Sequence, residues 1–200
     1  MSLKHVIVAM SLAAVGCVHN VNVALRPDYG AGIRSGQALA MVTPGAVFYR
    51  GEFSDKRPDP TKLASFQQGV HTYNLTEERP MADALFEGLK AEFAASKQRW
   101  SETATGDVKV NLTFLSMSAA RNAGFVKVGA SATIQMKADF VNAKTGDVIY
   151  SNVYSGNDAR DQAMIGLMGL VKSSIDAAIL RCVQSVGDDA ALAKALAKPR

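Results

Sequence analysis

Phe125-Val126-Lys127-Val128-Gly129-Ala130-Ser131-Ala132-Thr133-Ile134-Gln135-Met136-Lys137-Ala138-Asp139-Phe140-Val141 is the longest alternating stretch in the chain. Val126, Val128, Ala130, Ala132, Ile134, Met136, Ala138 and Phe140 share one parity; Lys127, Ser131, Thr133, Gln135, Lys137 and Asp139 lie between them. Successive strand side chains point to opposite faces, so one face here is buried and the other is wet. Such clean alternation belongs to an antiparallel sheet covered on one side, because strands buried on both faces read as continuous apolar runs. The rest of the chain must supply that cover.

Upstream, Val108, Val110, Leu112 and Phe114 alternate with Lys109, Asn111, Thr113 and Leu115. Arg121-Asn122-Ala123-Gly124 supplies a hairpin turn between the two runs, and Asn142 to Asp147 a second, with Gly146 free to take positive φ. Val148 to Tyr154 is then the third strand of a meander. Three or four strands of this period in one short chain do not close a membrane barrel.

Two amphipathic segments provide the cover. Thr76, Glu77 and Glu78 suit the positive end of a helix dipole and Pro80 a first turn. The helix they open is expected to run to about Trp100, with Ala82, Leu85, Phe86, Leu89 and Phe93 at helical spacing. Its other face, Asp83, Glu87, Lys90, Glu92 and Lys97, is expected to be a solvated row, without a converging carboxylate pair. The closing helix is expected to start at the cap candidates Asn157 and Asp158 and to end at Gly187, with Met164, Met168, Val171, Ile175, Ala178, Cys182 and Val186 as its stripe. Ile165, Leu167 and Leu170 lie off that stripe, so its first half is buried on more than one side or meets a partner. Met164, Leu167 and Met168 are therefore binding candidates. Residues 188–200 read as a short helix and a basic tail.

Before the meander, Ala46 to Gly51 reads as a first core strand, closed by a turn-rich segment containing Pro58 and Pro60, and a short strand is expected near Val70 to Leu75. Residues 17–45 read as a tether rich in Gly and Pro, about 30 Å long if flexible at ~5–6 Å times the root of its length. Within it Val21, Val23 and Leu25 alternate as a short edge strand would. The fold class is α+β: an antiparallel meander of about four strands, two main helices on one face and a short C-terminal helix. Residues 46–200 form one domain.

Residues 1–16 combine a basic head, Lys4 and His5, with the apolar run Val6 to Val15, which is signal-peptide grammar. The run is about half the roughly 20 residues that a bilayer core needs. Ala14-Val15-Gly16-Cys17 resembles the lipobox of bacterial lipoproteins, and the resemblance implies that Cys17 becomes the acylated mature N-terminus. Two or more acyl chains make a stable anchor where one is marginal. Val18 stands where an inner-membrane retention Asp would sit, which implies the periplasmic face of the outer membrane.

The formal net charge is +4, its bases scattered among acids, so nucleic acid is not an expected partner. With Cys17 acylated, Cys182 has no disulfide partner and reads as a small buried hydrophobe. The mature chain has two histidines, His19 and His71, without HExxH, CxxC or paired spacing, so neither a metal nor another cofactor is expected. GxSxG, a phosphate loop and a spaced Ser/His/Asp set are absent too, and the chain is read as non-enzymatic. The remaining polar cluster is Asp55 with Arg57, whose guanidinium is a candidate for an anionic group or, more simply, a loop pin.

This layout resembles the YajG-type family of small bacterial outer-membrane lipoproteins over most of residues 38–198. The resemblance rests on Asp55 and Arg57, on Val108 to Phe114 with the alternating strand through Lys137-Ala138-Asp139, and on the closing helix. It departs in the longer Pro-rich segment Arg57 to Gln68. The expectation is an envelope module fixed to the membrane by its lipid, contacting another envelope protein or polymer, with homo-oligomerisation compatible. The alternatives are a periplasmic small-ligand or lipid carrier and an accessory subunit of an envelope transport or secretion machine.

Overall fold

The computed structural model describes residues 17–68, 70–123, 127–163 and 167–197. Residues 1–16, which carry the expected signal peptide, lie outside them, as do Met164 and Ile165. Leu167 opens the last long helix, with its side chain also outside the described set.

The expected meander is present and longer than the alternation suggested. Strands β6 (Val108–Ala123), β7 (Lys127–Asn142) and β8 (Val148–Ala163) each span 16 residues and pair antiparallel in sequence. Ala130, Ala132, Ile134, Met136, Ala138 and Phe140 are all buried, whereas Thr133 and Gln135 on the other face are exposed. Gly146 turns the second hairpin at φ 79°.

Two more strands extend this sheet and correct the purely antiparallel expectation. β2 (Val47–Asp55) and β5 (Arg99–Ser101) give the order β5-β2-β6-β7-β8, with β2 parallel to both neighbours. The intervening helix α3 (Met81–Ala95) is the cause, because a crossover of that length returns the chain parallel to the strand it left. A second sheet, β1-β4-β3, is built from β1 (Cys17–Val23), β3 (Ala64–Gln68) and β4 (His71–Glu77). Within the segment read as a tether, the alternation of Val21 and Val23 is thus realised as a strand, and Leu25 and Leu39 are fully buried. Short helices α1 (Tyr29–Gly32) and α2 (Gln37–Ala40) complete that segment.

Helix α3 stops short of Trp100, which lies in β5. Gln98 N–H reaches the Phe93 carbonyl at 2.7 Å and Lys97 N–H the Ala94 carbonyl at 3.0 Å, with Lys97 at φ 60°. This is a Schellman termination carried by a lysine where glycine is usual. At the other end, the Glu77 carboxylate accepts Met81 N–H at 2.6 Å, as the acidic run implied.

The closing helix α4 (Leu167–Gly187) begins ten residues later than its supposed cap. Asn157 and Asp158 belong to β8, where Tyr154, Gly156 and Asp158 face inward. Asp158, 4 % exposed, is bridged by Arg160 at 2.6 Å and by Arg181 of α4 at 2.9 Å. A paired carboxylate can occupy the buried parity of a strand, and charge alone had suggested a helix cap instead. Val171, Ile175, Ala178, Cys182 and Val186 are buried, so α4 lies on β7 and β8 with α3 beside it. Val171, Ile175 and Val186 each contribute roughly 1.5–3 kcal/mol when fully buried.

Candidate functional site: an apolar cleft at the strand ends

The polar cluster singled out in the sequence is a structural clasp. Arg57 Nε donates to both Asp55 oxygens at 3.0 and 3.1 Å, and Nη2 to Asp55 Oδ2 at 2.6 Å. Its remaining bonds go to the Lys62 and Pro60 carbonyls at 2.6 and 3.0 Å, and its guanidinium lies 4.5 Å over the Phe114 ring. Burial raises the Asp55 pKa, but the hydrogen bonds and charge of Arg57 outweigh it and hold the carboxyl below its ordinary value. The clasp closes the Pro-rich loop onto β6, and the guanidinium is spent within it.

Met168 is half-buried against the core and Leu170 is buried, so this part of α4 contributes packing. Burial pushes the Cys182 thiol up to about 12, which makes it a poor nucleophile. Its sulfur sits 3.6 Å from the Tyr154 carbonyl.

A well-formed concave feature lies elsewhere. A cleft of about 810 Å³ is lined by Met41 and Val42 beside α2, by Ala193 and Leu196 of α5 (Ala190–Leu196), and by Phe48 of β2. Lys144 from the β7–β8 turn and Lys194 from α5 add two exposed cations, and Thr43, Gln98 and Asp107 further polarity. Asp107 Oδ2 already accepts Val47 N–H at 2.9 Å. Gln98 donates to the Leu39 and Val42 carbonyls at 3.0 and 2.9 Å and so fastens the α2 wall.

The opposite wall is fastened by Asp189. One of its oxygens caps α5 through Ala191 and Leu192 N–H at 2.8 and 3.1 Å. The other accepts the Tyr150 and Tyr154 hydroxyls at 2.8 Å each and the Asn152 amide at 2.9 Å. Burial, followed by the hydrogen bond and charge of Asp189, raises both phenols. The cleft is thus preorganised and mostly apolar, with two ammonium groups. It suits an apolar side chain or acyl segment, carrying a negative group if the lysines are used. The short helix expected within residues 188–200 is present as α5, whereas α2, inside the segment read as a tether, gave no periodic signal; Met41, which follows it, is 86 % exposed.

Among the described residues no group of three or more His, Cys, Asp or Glu is placed to hold a metal, and no helix is long and apolar enough to cross a membrane. No family model and no curated protein matches the chain. Among solved structures, protein XCC0632 from Xanthomonas campestris, of family DUF330, matches with a TM-score of 0.59 at 11 % identity, over 84 % of this chain and 93 % of that one. Lipoprotein GNA1162 from Neisseria meningitidis aligns at 11 % identity over 64 % and 94 % of the two chains, with a TM-score of 0.38. A minor lipoprotein from Acinetobacter baumannii aligns at 13 % identity over 70 % and 87 %, with a TM-score of 0.39. The chain shares the α+β fold of the Xanthomonas protein.

Proposed function

We propose that the chain is an envelope lipoprotein, held at the periplasmic face of the outer membrane by acylated Cys17, that acts as a non-enzymatic binding module for another envelope component. The observation that carries this reading is the surface around Cys17. Cys17 is exposed at the start of β1, Val18 is 62 % exposed, and Val70 is 59 % exposed next to His71, the register partner of Cys17. Apolar side chains left in water beside a lipidation-type cysteine suit a lipid surface. The lipobox-like junction and the YajG-type layout support the same placement. Because β1 starts at Cys17, the domain would sit against the headgroups and not at the end of a long tether.

The cleft between α2 and α5 is the contact we assign to the partner, which would insert an apolar group past Met41. An accessory subunit of a transport or secretion machine is one form of such a module. The second reading, a carrier, is favoured by the cleft volume, which falls within the roughly 300–1,000 Å³ typical of small-ligand sites.

Crosslinked affinity purification from detergent-extracted membranes, with the native chain, Cys17→Ser and Met41→Glu, tests all of this. The expected result is native chain in the membrane fraction with one stoichiometric envelope protein, which Met41→Glu loses. Native chain recovered soluble and unacylated removes the anchor. A partner retained by Met41→Glu moves the contact away from the cleft, and a co-purifying amphiphile lost in that variant establishes the carrier.

A further inference from the structure

The two histidines beyond the leader, His19 and His71, are 52 residues apart, and the fold brings them together. His19 lies on β1 and His71 on β4, and His19 Nε2 stands 3.0 Å from His71 Nδ1. The parallel register explains the meeting: Cys17 is opposite His71 and His19 is opposite Tyr73, which places all four on neighbouring positions of one sheet face. We propose that His19 and His71 form a two-imidazole site for a divalent late transition-metal ion, of the copper, nickel or zinc class, that clamps β1 onto β4.

Three observations carry this. First, the separation is right. Two imidazole nitrogens bound to one ion at ~2.0–2.1 Å and near the tetrahedral angle lie about 3.3 Å apart, so small rotations of the two rings admit the ion. Second, the rings are partly held in place. Tyr73 stacks on His19 with centroids 5.0 Å apart and planes 19° apart, and Phe66, buried on β3, stacks on Tyr73 at 5.3 Å and 15°. This three-ring ladder crosses all three strands and fixes the plane of the His19 ring, as a supporting shell does for a ligand. Third, the site is open. The hydrogen bond between the imidazoles is exposed, so an ion arrives without opening the core, and water can fill the positions that no third protein ligand occupies among the described residues.

The clamp has a mechanical consequence. Among the described residues β1 is an edge strand that pairs only with β4, and its first four residues are exposed. Any load entering at Cys17 therefore reaches the domain through the β1–β4 ladder, and an ion bridging residues 19 and 71 staples that ladder two residues from its free end. Imidazole ligation favours copper most among divalent first-row ions and is lost on acidification, because the ligands must be neutral.

The test is titration of the purified mature chain, acylated in detergent micelles, with Cu(II) and separately with Zn(II), alongside Cys17→Ser, His19→Asn and His71→Asn. One ion per chain is expected, with unchanged affinity in Cys17→Ser and at least a tenfold loss in each histidine variant. Saturation should raise Tm and slow hydrogen exchange of the β1 amides, and Cu(II) spin resonance should show two imidazole nitrogens in the native protein, a readout independent of how the variants fold. Equal affinity in the native chain and either histidine variant overturns the site. Binding that needs His19 but survives His71→Asn overturns it too, since the ion would then sit at the new N-terminus on the amine and backbone amides. The lipid anchor is not required: an unacylated soluble chain that binds one ion through both histidines upholds the site while removing the anchor.

Discussion

Gly156 of β8 lies so close beneath Ala178 of α4 that a Cβ at position 156 would come within 1.9 Å of the Ala178 carbonyl oxygen and 2.4 Å of Cys182 N. The backbones of strand and helix touch there, which is how α4 settles onto the sheet. Gly156→Ala must push them apart. It should cost about 3 kcal/mol, at the upper end of overpacking, and lower Tm by roughly 6–12 °C. Gly169 lies in the first turns of the same helix, and a Cβ at that position would meet nothing within 4 Å, so Gly169→Ala should gain about 0.5–1 kcal/mol. Thermal unfolding of the two variants gives opposite signs if the packing is as described.

Lys97 is the one non-glycine residue with positive φ among those described. A side chain there costs about 1–2 kcal/mol, against which glycine's greater unfolded-state freedom sets about 0.4–1. Lys97→Gly should therefore stabilise the protein by about 0.5–1 kcal/mol, while Lys97→Ala should give no gain. A loss of stability in the glycine variant would mean that the lysine stem contributes packing beyond its backbone strain.

The same residues explain what the sequence could and could not disclose. Alternation from Val108 through Val141 specified the meander, its buried parity and its second turn, because period two is a local property; of the expected first turn, Arg121 to Ala123 are instead paired residues of β6 and Gly124 lies outside the described residues. Lys97 hid the end of α3, since a helix stop without glycine leaves no local mark. Asp158 hid the continuation of β8, because an inward carboxylate reads as polar until Arg160 and Arg181 are seen to reach it. The second sheet needed the register Cys17↔His71, a parallel pairing over more than fifty residues that no local pattern encodes. For that reason the histidines looked unrelated, and spacing argued against a metal. The cleft was hidden similarly, its walls being two short helices about 150 residues apart.

Asp189 joins α5 to β8 by accepting two tyrosine hydroxyls while capping the helix. Asp189→Ala removes a cap worth about 1 kcal/mol and strands the buried Tyr154 hydroxyl at about 1–3 kcal/mol, so a loss of about 2–4 kcal/mol is expected. Burial raises the Asp189 pKa, but hydrogen bonds from Asn152, Leu192 and the two tyrosines prevail and lower it. A carboxyl with a depressed folded-state pKa contributes stability above its unfolded value and loses it as pH falls through the folded one. Tm measured from neutral pH down to about pH 3 should therefore fall more steeply in the native chain than in Asp189→Asn.

Glu92 behaves in the opposite sense. Contrary to the solvated row expected on α3, it is fully buried where the helix meets Gly36 and Gly187; Oε1 accepts Gly36 N–H at 2.8 Å and the Ser96 hydroxyl at 3.2 Å, whereas Oε2 has no partner among the described residues. The site is too tight for rearrangement, since a Cβ on Gly187 would fall 1.8 Å from Oε1. Burial raises the carboxyl pKa; the bonds from Gly36 and Ser96 lower it in part, and the charge of Asp188 adds to the rise. With the folded pKa above the unfolded one, the folded state holds the extra proton, so the contribution is full below the ordinary carboxylate value and is lost as pH rises through the raised one. Glu92→Gln keeps the acceptor for Gly36 and removes the buried charge. It should match or exceed the native chain in Tm at pH 7–8 and lose that advantage as the native carboxyl protonates in mild acid. A variant less stable than the native chain at every pH would show that Oε2 is satisfied, by an ordered water or a cation, and that the charge at this junction is compensated.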